Sequence, residues 1–371
     1  MLKGKKVVVI ATTDNMIWQF LIPHIKRLQE LGNEVECVCA KTGFWFDELK
    51  DKYGFVVHDI QFTRNPISIR NIKGFKELVK LQKEKQYNLV YCQQPVGGVM
   101  GRKLAKKFKL PCIYTAHGFH FFKGNNFLKN FIFKTIEKHY SRYTTALVTI
   151  NEEDYLASQK FYAKKTYKIN GIGFDNKKYT IPIKSREETR KELGLQQDDF
   201  VVCTVAEFIK RKNYETMLKT LCNLDKDIKL VSCGRGVLLE EIKEKAKALG
   251  LENRILFLGY RNDVNSIMNM SDMYFLPSYQ EGLTLSIIEA MSFGLPVVTS
   301  NVRGNRDLIE NNKGGFICEP NDVDGFAKAI TKLSTSPELS QQFGDFNKTA
   351  SVNYSIQKVI EQLDKVYEEM E

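Results

Sequence analysis

The sequence predicts an α/β protein with two domains, each built on a doubly wound parallel sheet, and three observations support this prediction. The chain has 371 residues, more than one hydrophobic core usually supports, so two domains are expected. Short apolar runs alternate with segments whose apolar residues recur at helical spacing, and this rhythm continues through both halves. The halves also differ in charge, because residues 1–178 contain 31 Lys or Arg and 15 Asp or Glu, whereas the remainder contains 24 and 29.

The first half begins with a βαβ unit. Residues 6–11 and 35–40 are continuous apolar runs, typical of buried strands, and between them apolar residues fall on one face of a helix over 20–31 that Gly32 ends. Because short strands keep alternating with helical segments, a parallel sheet is predicted. Further strands are predicted at 55–60, 89–92, 112–115 and 146–150, and helices near 70–86, 97–109, 127–142 and 152–162.

The second half repeats this rhythm and ends in an amphipathic helix over 355–367. Six strands in parallel order predict a second Rossmann-like domain. The strands are predicted at 200–206, 228–233, 255–258, 274–276, 296–299 and 315–318, and the helices near 213–223, 237–249, 264–269, 283–293 and 304–311.

The composition of the chain limits which classes of protein it can belong to. The chain is 43% apolar and 27% charged, which is ordinary for a globular protein, and no apolar run approaches the ~20 residues that span a bilayer. The start, MLKGKKVVVIATT, lacks the pattern of a cleaved signal, and the eight cysteines include no C-x-x-C pair. A cytoplasmic protein is therefore expected. Its basic first half suits nucleic acid, an anionic membrane or an anionic substrate, and no nucleic-acid-binding motif is present.

The most specific chemical pattern is YFLPSYQEGLTLSIIEAMSFGLPVVTS, residues 274–300. It predicts a strand, a turn at Gly282 and a helix before the next strand. Glu281 lies just before this helix, and Glu289 lies eight residues later, roughly two turns along at ~3.6 residues per turn. Free N–H groups at a helix N-terminus bind anions. The pattern therefore favours a ligand with both phosphate and hydroxyl groups, such as a sugar nucleotide.

Each glutamate alone has a simpler explanation. Glu281 also suits the positive end of a helix dipole, and Glu289 also suits a solvated helix face. The combined string P-S-x-x-E-G-x₆-E-A-M-x-x-G-x-P-V-V is far more specific. It resembles the E-x₇-E signature of the retaining glycosyltransferases of family 4, and the resemblance covers nearly the whole chain.

The resemblance implies a GT-B fold, in which two Rossmann-like domains face a cleft. Residues 1–175, joined by a terminal helix at 355–371 that crosses back, would bind the acceptor, and residues 176–354 would bind the donor. The implied reaction moves a sugar from a nucleotide-sugar, most often UDP-linked, to a hydroxyl of a glycan or a polyprenyl-diphosphate-linked acceptor. Such reactions build capsule, exopolysaccharide and other cell-surface glycans.

The resemblance also assigns residue roles within the E-x₇-E stretch. Glu281 corresponds to the glutamate that holds the donor sugar. Main-chain N–H groups after Gly282, at Leu283 and Thr284, correspond to those that hold the diphosphate. Glu289 corresponds to the glutamate that holds the ribose.

The turn EFIKRKN, residues 207–213, follows another predicted strand. Lys212 lies at the family's position for the cation that neutralises the donor diphosphate, and such a cation stabilises the charge that develops on the leaving group. The family often has Arg at the position of Glu207. Either Arg211 or Lys210 makes the phosphate contact in place of that Arg, or this contact is missing. A solvated basic turn is the alternative.

Two further loops complete the donor site that the resemblance implies. Gly234 follows the next strand in a G-R-G sequence, where glycine lets the main chain approach a nucleotide closely. Gly259 and Tyr260 match the family's base-binding turn, and Arg261 is expected to stack on the edge of the base.

The segment AHGFHF, residues 116–121, follows a strand of the first half at the edge where open α/β sheets bind ligands. It resembles a loop of family members that build bacterial surface polysaccharides, in which the first histidine lies near the donor sugar. The resemblance assigns that role to His117 only. The alternative is that His117 is a structural histidine held by hydrogen bonds. The turn ATTDNMIWQF after the first strand lacks the family's glycines, so its contact with the diphosphate stays open.

Basic residues are concentrated on three predicted helices of the first half. Such helices with aromatic neighbours can lie on an anionic membrane surface, which would place the protein peripherally on the inner face of the plasma membrane. Solvated lysine faces are the alternative. The residues assigned to the membrane or acceptor are Lys73, Lys76, Lys80, Lys134, Lys138 and Arg142.

The sequence also predicts whether a metal is bound, and it leaves alternative functions to be considered. Two D-x-D sequences occur, at 225–227 and 322–324, but neither follows a strand near the other sites, and Asp322 suits a helix N-cap. No metal, no other cofactor and no nucleic acid is therefore expected. The rivals are a UDP-sugar 2-epimerase or a phosphorylase of the same fold, and a non-catalytic basic module that binds membranes or nucleic acid.

Overall fold

The computed structural model describes residues 2–43, 45–93, 95–176 and 181–370, so the predicted domain ends at residues 1 and 371 lie outside the described residues. The chain forms two compact units, Met1–Gly173 with Ile356–Glu371, and Phe174–Ser355. Each unit contains one parallel sheet flanked by helices. The predicted fold class, two doubly wound α/β domains, is confirmed.

The first unit has a seven-stranded sheet with the order β3-β2-β1-β4-β5-β6-β7. All neighbouring strands are parallel, and the carboxyl ends of the strands therefore share one edge. The strands are β1 Lys6–Thr13, β2 Glu34–Ala40, β3 Val56–Asp59, β4 Leu89–Gln93, β5 Cys112–Ala116, β6 Ala146–Thr149 and β7 Lys165–Lys168.

The helices of the first unit include the last helix of the chain. This helix packs through buried apolar residues, and its Asp364 accepts two hydrogen bonds from Arg27 at 2.9 and 2.8 Å. The helices are α1 Asp14–Met16, α2 Ile22–Glu30, α3 Trp45–Asp51, α4 Ile69–Lys85, α5 Val96–Phe108, α6 Phe127–Ser141, α7 Glu152–Ser158 and, at the end of the chain, α16 Ile356–Glu368.

The second unit has a six-stranded parallel sheet with the order β10-β9-β8-β11-β12-β13. Its order reverses between β8 and β11, and ligands of open α/β sheets bind outside the carboxyl ends of the strands at such a point. The strands are β8 Phe200–Val205, β9 Ile228–Cys233, β10 Ile255–Gly259, β11 Met273–Leu276, β12 Val297–Ser300 and β13 Gly315–Cys318. The helices are α8 Arg186–Glu192, α9 Tyr214–Cys222, α10 Leu239–Ala248, α11 Val264–Met270, α12 Leu285–Ser292, α13 Asn305–Leu308, α14 Val323–Ser334 and α15 Pro337–Ser351.

The structure differs from the predicted elements at a few places. Strand β7 was missed because its sequence, KTYK, is polar and occupies the sheet edge. The helix predicted over 20–31 is a π-helical turn, Ile17–Leu21, followed by α2, because Pro23 has no N–H and suits the first turn of a new helix. Helices α3, α8 and α15 were not predicted, whereas α14 begins after the N-cap predicted at Asp322. No helix in the described ranges has the length and apolar character needed to cross a membrane.

Candidate active site

The loops after β8 and β11 meet where the strand order of the second sheet reverses. Lys212 Nζ donates to Glu281 Oε1 at 2.7 Å, and Arg211 donates through a guanidinium N–H to Glu281 Oε2 at 2.9 Å. The loops are also joined by their main chains, since Tyr279 N–H donates to the Arg211 carbonyl at 2.8 Å. Three residues that the sequence assigned to the donor site thus contact one another.

Glu281 and Lys212 are shielded from water, whereas the Arg211 side chain is 41% exposed. Glu281 is 5% exposed and Lys212 is 7% exposed. Burial alone would raise the pKa of Glu281, but the charges of Lys212 and Arg211 outweigh it and hold that pKa below its ordinary value. Glu281 is therefore an ionised acceptor at neutral pH, and Lys212 is the buried cation beside it.

The loop after β12 adds a buried arginine that sequence reasoning missed. Arg303 is 3% exposed, and its Nε donates to the main-chain oxygen of Glu281 at 3.0 Å. A signal was available, because the sequence RGN, residues 303–305, lies in the turn after the strand predicted at 296–299, at the ligand-binding edge. Three cations, Arg211, Lys212 and Arg303, therefore surround the Glu281 segment.

The N-terminus of α12 is held by two close contacts. A Cβ atom on Gly304, whose φ is +78°, would lie 2.4 Å from the Gly282 carbonyl oxygen, so only glycine fits there. The buried Thr284 hydroxyl donates to Asn305 Oδ1 at 2.8 Å. The first amides of a helix have no intrahelical acceptor. The main chain from Gly282 to Thr284 is thus fixed just ahead of amides that can bind an anion.

Glu289 lies on the same helix but not in the cation cluster. It is half-buried, and within the described residues its carboxylate has no ion pair. Burial raises the pKa of Glu289 to about 7. Its carboxyl group therefore changes charge near neutral pH, unlike that of Glu281.

This pKa predicts how stability depends on pH in a Glu289→Gln variant. The folded state binds the proton more tightly than the unfolded chain, so the contribution of Glu289 to stability falls as pH rises from about 4.5 to about 7. Glutamine cannot ionise, so at pH 8 the variant should be more stable than the wild type by roughly 1–3 kcal/mol. Urea unfolding at pH 5 and pH 8 measures this. An equal difference at both pH values, or the same gain in the exposed control Glu244→Gln, would contradict the prediction.

The loops after β8, β9 and β10 approach one another through their main chains. Gly234 N–H donates to the Gly259 carbonyl at 2.7 Å, and Phe208 N–H donates to the Arg235 carbonyl at 3.0 Å. A Cβ atom on Gly234 would lie 1.9 Å from the Ala206 carbonyl oxygen. Glycine is therefore needed here to pack the loops together, a structural role beside the nucleotide contact that was predicted.

Tyr260 and Arg261 lie in different environments. Tyr260 is 64% exposed, and the guanidinium of Arg235 lies over its ring at 5.1 Å. Arg261 donates two hydrogen bonds to Asp263, at 2.7 and 2.5 Å, and also contacts Glu192. The guanidinium of Arg261 is thus held by carboxylates, and its stacking on a base stays a prediction.

His117 directly follows β5 in the first unit. Its Nε2 donates to Gln93 Oε1 at 2.8 Å, at the end of the neighbouring strand. Burial, together with the nearby His24, lowers the pKa of His117 to about 3. The ring is therefore neutral at physiological pH, and Nδ1 is its acceptor. Sequence reasoning missed both Gln93, at the end of β4, and the buried His24 of α2 nearby.

The turn without glycine after β1 is organised by a buried carboxylate. Asp14 accepts hydrogen bonds from the N–H groups of Asn15 at 2.8 Å and Thr42 at 3.1 Å, and from the Thr42 hydroxyl. The first amide of this turn thus donates to a protein carboxylate. This arrangement differs from the free amides that the family's glycines provide.

Helix α6 buries a carboxylate and exposes large apolar side chains beside its lysines, unlike a helix whose apolar face packs on the core. Its buried Glu137 accepts from Arg102 at 2.8 Å and from the Tyr114 hydroxyl at 3.0 Å. Five large apolar side chains of α6 are exposed by 38% to 84%. They are Phe127, Leu128, Phe131, Ile132 and Ile136.

The predicted membrane lysines lie on helices of the first unit. Lys73, Lys76 and Lys80 are exposed on α4, and Lys134 is exposed on α6. Lys138 and Arg142 lie over the Tyr162 ring at 5.1 and 4.6 Å. The basic side chains at this end of α6 are therefore ordered rather than freely solvated.

The D-x-D sequence at 322–324 has a structural role. Asp322 caps α14 by accepting from Gly325 N–H at 2.9 Å, as the N-cap interpretation predicts. In the part of the chain that the structure describes, no group of three or more His, Cys, Asp or Glu residues could hold a metal ion.

Comparisons with known proteins match both units. The family described as "Glycosyl transferase 4-like" matches residues 6–151, and "Glycosyl transferases group 1" matches residues 185–350. The chain is 29% identical to a Bacillus subtilis (strain 168) protein described as glycosyltransferase EpsD, over 98% of this chain and 96% of the relative. It is 30% identical to the Escherichia coli UDP-Gal:alpha-D-GlcNAc-diphosphoundecaprenol alpha-1,3-galactosyltransferase, over 93% and 92%.

A solved structure shares the fold. The crystal structure of Anabaena Alr3699/HepE in complex with UDP and glucose superposes with a TM-score of 0.83 at 19% identity, covering 99% of this chain and 100% of that one. The sequence matches span both units, and the E-x₇-E stretch lies within the group 1 match. The chain therefore belongs to the family 4 glycosyltransferases and has the two Rossmann-like domains of the GT-B fold.

Proposed function

We propose that this glycosyltransferase moves a hexose from a UDP-sugar to a hydroxyl of a polyprenyl-diphosphate-linked glycan in cell-surface polysaccharide synthesis. The observation that carries the donor assignment is the contact of Lys212 and Arg211 with the buried carboxylate of Glu281 at the switch point of the second sheet. The Escherichia coli relative, which is named for a UDP-sugar donor and a diphosphoundecaprenol acceptor, supports both substrate classes.

The charges of the cluster suit a sugar diphosphate. Lys212 and Arg211 contact the Glu281 carboxylate, Arg303 donates to the Glu281 main chain, and the exposed Glu207 lies 4.0 Å from Arg211. The carboxylate of Glu281 has lone pairs beyond those that accept from Lys212 and Arg211, so it can also accept from sugar hydroxyls. One cluster thus offers acceptors for the sugar and positive charge for the diphosphate.

In the proposed reaction the glycosidic bond to the diphosphate breaks while the acceptor hydroxyl attacks. Glu281 orients the sugar hydroxyls, and Lys212 and the amides near Leu283 and Thr284 stabilise the departing diphosphate. Glu289 accepts from the ribose. The neutral His117 helps to place the sugar ring, and a leaving phosphate oxygen takes the proton of the acceptor hydroxyl.

We further propose that the anomeric configuration is retained and that no metal is required. Retention rests on family 4 membership, with departure and attack on the same face of the sugar. Metal independence rests on Lys212, Arg211 and the helix amides, which supply the positive charge that a divalent ion supplies elsewhere.

Transfer with purified protein tests this function. UDP-hexoses are incubated with a polyprenyl-diphosphate-linked sugar, with and without EDTA, and the linkage of the product is determined by NMR. An α-linked product from an α-linked donor, formed equally with EDTA, is expected. Loss of transfer with EDTA would refute metal independence, a β-linked product would refute retention, and interconversion of the UDP-sugar without acceptor would support the epimerase instead.

The protein is also proposed to bind the anionic inner face of the plasma membrane through the first unit. The exposed lysines of α4 and α6 and the outward apolar face of α6 support this proposal. Each Lys or Arg near an anionic surface contributes about 1 kcal/mol. The localisation follows from this surface and from the membrane-embedded acceptor.

Reversing three basic charges at the end of α6 tests how much they contribute to membrane binding. Changing Lys134, Lys138 and Arg142 to Glu removes three favourable contacts, so binding to phosphatidylglycerol vesicles should weaken by roughly 100-fold or more. Flotation over a range of salt measures it. Reversal of Lys226, Lys243 and Lys247, on the second unit, is the matched control. Flotation unchanged by the first triple variant would refute the membrane proposal.

A further inference from the structure

A groove of about 420 Å³ lies beside α6 in the first unit, within the ~300–1,000 Å³ typical of small-ligand pockets. Its lining is mainly apolar and aromatic, and it is supplied by the loop after β5 and the first turns of α6 and α7. The apolar lining residues are Phe121, Phe122, Phe127, Phe131 and Ala157. None of them takes part in the donor site.

The position of the groove relates it to the reaction. Parallel strands end at one edge of the sheet, and both helices that line the groove begin after strand ends at that edge, those of β5 and β6. His117 opens the loop after β5, and Phe121 and Phe122 follow in the same loop. The groove therefore lies along the edge of the first sheet at which the strands end and His117 follows β5.

The groove continues into the exposed apolar face of α6. Phe127 and Phe131 line the groove, yet they are 84% and 61% exposed. Leu128, Ile132 and Ile136, spaced four residues apart, extend the apolar surface along the helix. The buried contact of Arg102 with Glu137 prevents α6 from turning this face inward without breaking an ion pair.

Charge at the groove suits an anionic head group. Lys123 and Lys134 line it, and Lys129 lies in the first turn of α6. All three are exposed, and the described residues offer them no ion pair. Two carboxylates also line the groove. Asp154 accepts from Phe119 N–H at 2.8 Å, and Glu153 accepts from Lys123 N–H at 3.1 Å, so both hold the loop.

We propose that this groove binds the isoprenoid chain next to the diphosphate of the lipid-linked acceptor, with the rim lysines on the diphosphate. This inference rests on the proposed function, because it names the part of the acceptor that the first unit holds. A ligand that joins an anionic diphosphate to a long apolar chain matches a groove that joins exposed cations to phenylalanine side chains. The groove then keeps the acceptor sugar at the edge of the sheet where His117 lies.

Binding of a fluorescent geranylgeranyl diphosphate analogue to the full chain, without vesicles, tests this proposal. Replacing Phe127 and Phe131 by Ser should weaken binding by roughly tenfold or more, because both side chains lose apolar contact. Leu249→Ser, an exposed apolar residue of the second unit, should leave it unchanged. Unlabelled geranylgeranyl diphosphate should displace the probe, whereas inorganic diphosphate and hexadecyl phosphate should not.

Each other outcome overturns the proposal. If the double Phe variant binds the probe as tightly as the wild type, the groove is not the binding site. If hexadecyl phosphate displaces the probe, the site binds bilayer lipids. If the wild type forms a dimer that the double variant does not form, the apolar face is a contact between two copies. UDP-induced thermal stabilisation, measured in parallel, involves only the second unit. If UDP fails to stabilise the protein but the probe still binds, the proposed function is contradicted. If UDP stabilises the protein but the probe does not bind, only the groove proposal is contradicted.

Discussion

Replacing Glu281 by Gln is expected to reduce sugar transfer by at least ~100-fold, the effect of losing one preorganised polar contact at a reacting centre. The amide keeps the shape of the side chain but removes the charge that accepts from the sugar hydroxyls. It also leaves the charges of Lys212 and Arg211 without their carboxylate, which disturbs the cluster that receives the diphosphate. Transfer under single-turnover conditions measures the loss.

The interpretation requires that the variant is folded, because breaking a buried ion pair costs about 3–5 kcal/mol. Thermal unfolding and UDP binding report this separately, since UDP lacks the transferred hexose that Glu281 is proposed to hold. Glu207→Gln makes the same chemical change at an exposed residue of the neighbouring turn and should retain transfer. A folded Glu281→Gln variant with activity within a few-fold of the wild type would remove Glu281 from the donor site.

Replacing Lys212 by Met is expected to lower kcat by roughly 100- to 1,000-fold. Met fills most of the volume of the buried lysine without its charge, so the negative charge that develops on the leaving diphosphate loses its nearest preorganised cation. The pKa of Glu281 should rise toward its ordinary value, because Lys212 is the stronger of the two charges that lower it. Because the lost interaction strengthens in the transition state, kcat should fall more than UDP affinity.

The matched control for Lys212 is its neighbour in the same short helical turn. Lys210 is exposed, whereas Lys212 is buried against Glu281, so Lys210→Met removes the same charge without reaching the cluster. Equal losses in the two variants would show that only the overall charge of the turn matters. A fall in UDP affinity with kcat unchanged would assign Lys212 to ground-state binding alone.

Much of the second unit was accessible from the sequence, and the reason is local. Strands β8 to β13 are apolar runs between turn residues, and a run of that kind has few alternatives to a buried strand. The E-x₇-E stretch and the turn at 207–213 follow two of those strands. Polar residues directly after parallel strands meet at one sheet edge, so the contact of Lys212 with Glu281 was a reasonable expectation.

Other parts of the site depend on residues that are distant in sequence. Arg303 contacts the Glu281 main chain only because β11 and β12 are neighbours, and Gly304 is required only because the Gly282 carbonyl lies against it. The different pKa shifts of Glu281 and Glu289 follow from the cations that one has and the other lacks. Local patterns place Arg303 and Lys212 after strand ends, but the main-chain contacts of Arg303 and Gly304 and the direction of each pKa shift depend on packing between segments that are distant in the chain.

The sequence by itself determined the parallel α/β architecture, because apolar periodicity is a local property, and its resemblance to the family supplied the polar candidates for the donor site. The tertiary structure decided which face of α6 is buried. Phe127, Phe131 and Ile136 are exposed, whereas Glu137 takes the inner position because Arg102 and Tyr114 meet it there. A buried charge needs its partners, and those partners come from α5 and β5, so only the folded chain could place the apolar groove on the surface.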